Sequence, residues 1–272
     1  MLEIDRLRLQ AGPQILLDGV STQFQPGLVY AIIGPNGTGK STLLRTLFGD
    51  NKAISGTVRY AGQEQLATRS SDWRQLFGYM PQDSHISADL SVLEVVLLGQ
   101  MSRLGVRVAD EQLHKALLAL ESVGLLHLAH RPIHALSGGQ RQLSLFAQVL
   151  LRDPRIMLLD EPVSALDLKH QLLLLDQART LTRERQWITI MVLHDLNLTA
   201  QFADTIIALN QGQMLACGSP QQVLTPHLVE QLYGVPVRVQ LDEDGTPFIR
   251  PSRTQTPPCA DKAQPATLPQ AA

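Results

Sequence analysis

The sequence predicts an α/β protein on a mostly parallel sheet, with antiparallel β additions and an inserted α-helical subdomain. Three observations carry that expectation. Short apolar runs alternate with helical patterns along most of the 272 residues. Four of the runs, VYAIIG, LFGYMPQ, IMLLD and WITIMVLH, are rich in β-branched and aliphatic residues and barely alternate, as strands buried on both faces do. Between Gln82 and Ser137 the period changes to that of helices.

The elements follow in order. VYAIIG leads into GPNGTGKS, residues 34–41, and then into the apolar run TLLRTLF, so a glycine-rich loop joins a strand to a helix. LFGYMPQ is a second strand, closing on Gln82. In the helical stretch, Ser91 and Glu94 have capping-box spacing, and Leu113, Ala116, Leu117 and Leu120 recur on one helical face. Ser137 and Gln140 repeat the capping-box spacing before a helix whose apolar face is Leu143, Phe146, Val149 and Leu150. IMLLD ends on Asp160 and WITIMVLH on His194. Two hairpins are expected afterwards, TIIALNQGQMLACG turning at Gln211 and Gly212, and VRVQLDEDGTPFI turning near Asp244 and Gly245. Residues 251–272 are rich in Pro, Ala, Thr and Gln, with too few large apolar groups to offset ordering entropy, and read as a disordered tail.

Composition bounds the function. The formal net charge is −2 with 18% charged residues, so no basic field points to nucleic acid. Two cysteines, Cys217 and Cys259, exclude a disulfide framework and fit a reducing compartment. The first ten residues lack a basic region followed by an apolar one, and no apolar run approaches the roughly 18 residues of a membrane span. The chain is therefore expected in the cytoplasm unless something tethers it.

The loop carries the chemistry. Without side chains at Gly34, Gly37 and Gly39 it can curl until successive backbone N–H groups point inward, and the next helix adds the positive end of its dipole. That is a polyphosphate cradle, with Lys40 reaching the outer phosphates and the Ser41 hydroxyl holding Mg2+. In a parallel sheet the other strand ends share this rim. Asp160 then reads as a partner of the ion or as a helix cap, and Glu161 as a base for attacking water or a surface glutamate. Gln82 reads as a water-positioning or ion-shell amide or an ordinary loop residue, and His194 as a γ-phosphate contact or a satisfied core histidine. A second anion-seeking element is LSGGQ, whose two glycines weaken a first helical turn by up to about 1 kcal/mol each. The first loop already surrounds the phosphates of its own nucleotide, so this site is expected to serve a nucleotide held by another copy.

Together, GPNGTGKST (Walker A), Gln82 (Q-loop), LSGGQ at 136–140 (signature), IMLLDEP (Walker B), SALD at 164–167 (D-loop) and His194 (H-loop) resemble an ABC-type ATPase, with the likeness extending over residues 1–250. The resemblance implies a P-loop NTPase core with a helical subdomain at about 83–136, and a head-to-tail homodimer sandwiching two ATP molecules. It implies ATP contacts at Gly34, Pro35, Asn36, Gly37, Thr38, Gly39, Lys40, Ser41 and Thr42, and contacts across the dimer from Ser137, Gly138, Gly139, Gln140 and Asp167. It assigns Mg2+ to Ser41, Gln82 and Asp160, and hydrolysis to Glu161, His194 and Gln82. One departure is the lack of an aromatic ring in LRLQAGPQILL to stack on adenine.

The segment from His194 through Tyr233-Gly234-Val235 is similar to the iron-chelate, heme and cobalamin branch of importers, with Asp195, Leu196 and Asn197 after the histidine and a Thr-Pro helix before Tyr233. Such a likeness implies two permease copies, an indirect periplasmic binding protein, no nucleic acid, and a peripheral place on the cytoplasmic side of the inner membrane. The helical insert after Gln82, including Asp83 to Leu90, is the expected dock for a short permease helix, with an ordinary surface loop as the alternative. A soluble ABC ATPase for cofactor assembly or repair is the alternative.

Overall fold

Buried strand ends define the architecture of the computed structural model, which describes residues 1–82, 89–103 and 108–252. The chain opens with β1 (Leu2–Ala11) and β2 (Gln14–Phe24), a long hairpin, before the core strand β3 (Val29–Ile33) and helix α1 (Lys40–Phe48). Next come β4 (Ser55–Tyr60), β5 (Gln63–Glu64), α2 (Ser70–Gln75) and β6 (Phe77–Met80). The helical subdomain holds α3 (Val92–Leu97), α4 (Asp110–Ser122) and the start of α5 (Gly138–Arg152). Then follow β7 (Ile156–Asp160), α6 (Leu168–Arg185), β8 (Ile188–Val192), α7 (Leu196–Phe202), β9 (Thr205–Asn210), β10 (Gln213–Gly218), α8 (Pro220–Val223), α9 (Pro226–Tyr233), β11 (Val237–Leu241) and β12 (Pro247–Pro251).

The main sheet has the order β10-β9-β3-β8-β7-β6, parallel except for β10. Every residue of β3, β7 and β8 is buried, because both faces are covered. Alternate side chains divide between two cores. Val29, Ala31, Ile33, Met157, Leu159 and Met191 face the cluster that includes Phe146, Leu174 and Phe202. Tyr30, Ile32, Leu158, Ile190 and Val192 face the cluster formed with Leu43, Leu47, Trp73 and the N-terminal strands.

Residues 1–24 and 55–64, for which the sequence pattern predicts no strands, form an antiparallel sheet, β2-β1-β4-β5. The expected hairpins are present: Gln211 and Gly212 turn β9 into β10 with φ of 46° and 81°, and β11 pairs with β12 around Gly245. Both capping boxes are formed, Ser91 with Glu94 and Ser137 with Gln140. On α4, Ala116 and Leu120 are buried, whereas Leu113 is exposed. β12 runs to Pro251, and the rest of the expected tail, from residue 253, lies outside the described residues, as do residues 83–88 of the expected docking segment.

Candidate functional site

Three glycines shape the loop after β3, and each has its own reason. Gly34 has φ of 148°, and a Cβ there would fall 2.1 Å from the Leu209 carbonyl oxygen. Gly39, in the left-handed region just before α1, would press a Cβ to 2.9 Å from Leu16 Cβ. Gly37 has φ of 80° and open space around it, which leaves its backbone accessible. The loop thus curls tightly under β9 and β2 while α1 points its N-terminus at the enclosed space.

Polar groups converge there. Lys40 is buried, and its Nζ donates to the carbonyls of Gly34 and Pro35, both at 2.8 Å. Burial pushes its ammonium below the ordinary lysine range, against the opposing pull of Glu161 and Asp160. Thr38 Oγ1 donates to Pro35 at 2.9 Å and closes the loop on itself. Ser41 Oγ donates to Asp160 Oδ1 at 2.9 Å. Asp160, the last residue of β7, is fully buried, which raises its carboxyl above the usual range although the Ser41 bond opposes the rise. Among the described residues its Oδ2 has no hydrogen-bond partner. A buried, half-satisfied carboxylate beside a hydroxyl is an all-oxygen donor set that fits Mg2+. Among the described residues no group of three or more His, Cys, Asp and Glu is arranged to hold a metal, so an ion here would draw its remaining ligands from neutral oxygens, the Gln82 amide on the cavity wall, phosphate and water.

Glu161 follows with φ of 51°, a left-handed conformation uncommon outside glycine. Its carbonyl accepts from Gln142 Nε2 at 2.9 Å, and its Oε1 lies 2.5 Å from His194 Nε2. Glu161 and His194 line a cavity of about 500 Å3 with Asn36, Lys40, Ser41 and Gln82. Four strand ends, β3, β6, β7 and β8, therefore deliver their groups to one rim. At the cavity's other end stand Ala11, Gln14 and Leu16 of the β1–β2 hairpin, with no aromatic ring among its lining residues.

The second glycine pair sits elsewhere. Ser137, Gly138, Gly139 and Gln140 begin α5 and do not line this cavity; neither does Asp167, the N-cap of α6, whose Oδ1 accepts from His170 N at 3.0 Å. A Cβ on Gly139 would meet the Ala165 carbonyl oxygen at 2.9 Å, so internal packing alone accounts for this glycine. Gly138 is exposed, and a Cβ there meets nothing closer than Ala165 Cβ at 3.7 Å. Nothing among the described residues requires Gly138 to be glycine.

Two residues escaped the sequence reading as parts of the site. Gln142 joins α5 to Glu161, and Tyr233 Oη accepts from the Gly34 N–H at 3.2 Å. Only their separations in sequence hid them; no local pattern announces either pairing.

Comparison with known proteins places the chain in a family. The model of the ABC transporter family matches residues 17–164. The hemin import ATP-binding protein HmuV of Rhodopseudomonas palustris (strain BisA53) is 38% identical over 272 residues, covering 96% of this chain and 98% of the relative. The ferric enterobactin transport ATP-binding protein FepC of Escherichia coli (strain K12) is 35% identical over 262 residues, covering 94% and 96%. Among solved structures, a chain of a transporter described as metal-chelate type, in an inward-facing conformation, superposes with a TM-score of 0.80 at 27% identity, covering 93% of this chain and 97% of that one.

Proposed function

The chain belongs to the ABC transporter family as an ATP-binding subunit, and on that premise we propose that it hydrolyses ATP to power an importer for an iron complex, heme or a ferric siderophore, across the bacterial inner membrane. The observation that carries the proposal is the rim itself: a glycine cradle, a buried lysine, an oxygen donor pair and a carboxylate–imidazole pair around one cavity of about 500 Å3. Relatives named for hemin import and ferric enterobactin transport favour an iron cargo over cobalamin, and they favour transport over a soluble repair or cofactor-assembly role.

The roles follow from placement. The loop N–H groups of residues 36–42 bind the polyphosphate, Gly34 N–H being held by Tyr233 and Pro35 having none, and Lys40 exchanges its loop carbonyls for phosphate oxygens as ATP enters. Ser41, Asp160 and Gln82 would hold Mg2+, which supplies charge neutralisation for the transferred phosphoryl group. Glu161 takes a proton from the attacking water, and His194 orients its carboxylate through the Oε1–Nε2 contact. A second copy of the chain completes the site with Ser137, Gly138, Gly139, Gln140 and Asp167, since these lie off the cavity of their own chain. ATP closes the pair, and loss of phosphate charge reopens it.

Two permease copies and an external binding protein complete the importer, with this subunit peripheral on the cytoplasmic face. No helix among the described residues is long and apolar enough to cross a membrane. The test is phosphate release by the full-length chain co-expressed with a candidate permease. Wild type should turn over ATP, Lys40→Ala should weaken nucleotide binding by at least about tenfold through loss of charge-assisted bonds, and a hemin-loaded binding protein should stimulate the complex. Failure of the wild-type complex to hydrolyse ATP would overturn the reading.

A further inference from the structure

We propose that α9 and the β11–β12 hairpin form a brace that positions two loops of the nucleotide site, through Tyr233 on the glycine loop and Asn197 behind the histidine loop. The inference rests on the ATPase reading above and adds two positioning residues to it.

Tyr233 is the last residue of α9, whose C-terminus turns off at Gly234 with φ of 69°. Its ring packs against the core shared with Val229 and Leu232, and its hydroxyl accepts the Gly34 N–H. Burial raises the phenol above its ordinary range, so it stays neutral at physiological pH. Gly34 is held from two further sides: its backbone lies against the Leu209 carbonyl, and its own carbonyl accepts from Lys40 Nζ. The peptide groups flanking Gly34 therefore connect Tyr233 to the cation meant for phosphate. A displaced Tyr233 hydroxyl leaves a backbone donor unpaired at the entrance of the cradle.

Asn197 makes the other tie. It sits in the first turn of α7, three residues after His194, where Asp195 caps the helix by accepting from Asn197 N at 2.7 Å and Leu198 N at 3.1 Å. Its side-chain amide pairs with both backbone groups of Ile249 on β12: Ile249 N donates to Oδ1 at 2.7 Å, and Nδ2 donates to the Ile249 carbonyl at 3.3 Å. This reproduces the exchange between two paired strand residues. Apolar contacts from Val229, Leu232 and Ile249 hold the brace on the core. Such contacts are non-directional, so the two polar ties fix where it sits.

The separation of roles supplies the test. Tyr233→Phe keeps the ring and deletes one acceptor; because Gly34 is tied to Lys40, which binds phosphate, KM for ATP should rise roughly two- to tenfold while kcat stays within about twofold. Asn197→Leu keeps the volume and deletes both amide bonds; because α7 starts beside His194, kcat should fall roughly two- to tenfold with KM nearly constant. Steady-state ATPase kinetics on the full-length chain, with active-site titration by a slowly hydrolysed ATP analogue, read both. If both variants lose kcat only in proportion to the active fraction, or if both match wild type, the brace is refuted. A wild-type protein that hydrolyses ATP, with Lys40→Ala raising KM for ATP at least about tenfold in the same assay, keeps the ATPase reading standing whichever way the two variants behave.

Discussion

Gly138→Asp separates the chain's own stability from its proposed service to a second copy. Gly138 occupies the first position of α5 without positive φ, and a Cβ there meets nothing nearer than 3.7 Å, so an L side chain fits. A carboxylate at a helix N-terminus is favourable by about 0.3–1 kcal/mol, and replacing glycine in a helix adds a few tenths. For a chain of this length the melting temperature should therefore stay level or rise by about 1–3 °C. Across a dimer the same carboxylate would face phosphate. At about 5 Å and an effective dielectric of about 20, two like charges repel by about 3 kcal/mol, more than a hundredfold in an equilibrium. Differential scanning fluorimetry, nucleotide titration of the dilute monomer and phosphate release at high protein concentration read the three quantities. Expected are unchanged stability, unchanged monomer affinity and hydrolysis reduced about a hundredfold. If monomer affinity falls in step with hydrolysis, or if hydrolysis is unaffected, Gly138 does not face a partner's nucleotide.

Three further substitutions address the cis half of the site. Glu161→Gln keeps the shape beside His194 but removes the proton acceptor, so ATP affinity should be retained, hydrolysis should drop at least about a hundredfold, and ATP should hold the chain as a dimer in size-exclusion chromatography; parental turnover would contradict Glu161 as the base. Gly34→Ala should cost more than about 3 kcal/mol, because its Cβ would lie 2.1 Å from a backbone oxygen that cannot yield, whereas Gly37→Ala, with open space at φ of 80°, should cost only about 1 kcal/mol. Equal thermal stability of the two variants would show that the approach to Leu209 is not what fixes Gly34.

Local signals made most of this architecture readable. The glycine loop, the two capping boxes, the two-residue turn at Gln211–Gly212 and the four buried strands each announce themselves within about ten residues of sequence. The N-terminal sheet did not, although Leu2, Ile4, Leu7 and Leu9 are all buried. Their alternation slips phase at Arg6, which has φ of 45°, where the pairing of β1 with β2 and with β4 shifts register. An irregularity that bends a strand also breaks the period by which a strand is recognised. Tyr233 and Asn197 were hidden for another reason: their partners lie 199 and 52 residues away, and no periodicity encodes a tie at that distance.

The two glycines of LSGGQ look equivalent in sequence but differ in cause. Gly139 is small because α5 runs against Ala165, and the same approach places Gln142 between two segments: its Nε2 donates to the Glu161 carbonyl while its Oε1 accepts from Ala165 N at 3.2 Å. One buried amide thus joins α5, the helix proposed to serve a partner's nucleotide, to the backbone of Glu161, the proposed base. Glu161 is held in a left-handed conformation at that junction, which a non-glycine residue keeps only when its surroundings enforce it. Rotation of α5 on contact with a second copy would pull on the Glu161 carbonyl through Gln142, and therefore on the angle at which its carboxylate meets His194. In the proposed dimer, Gln142 would thus be the side chain through which contact at α5 reaches Glu161.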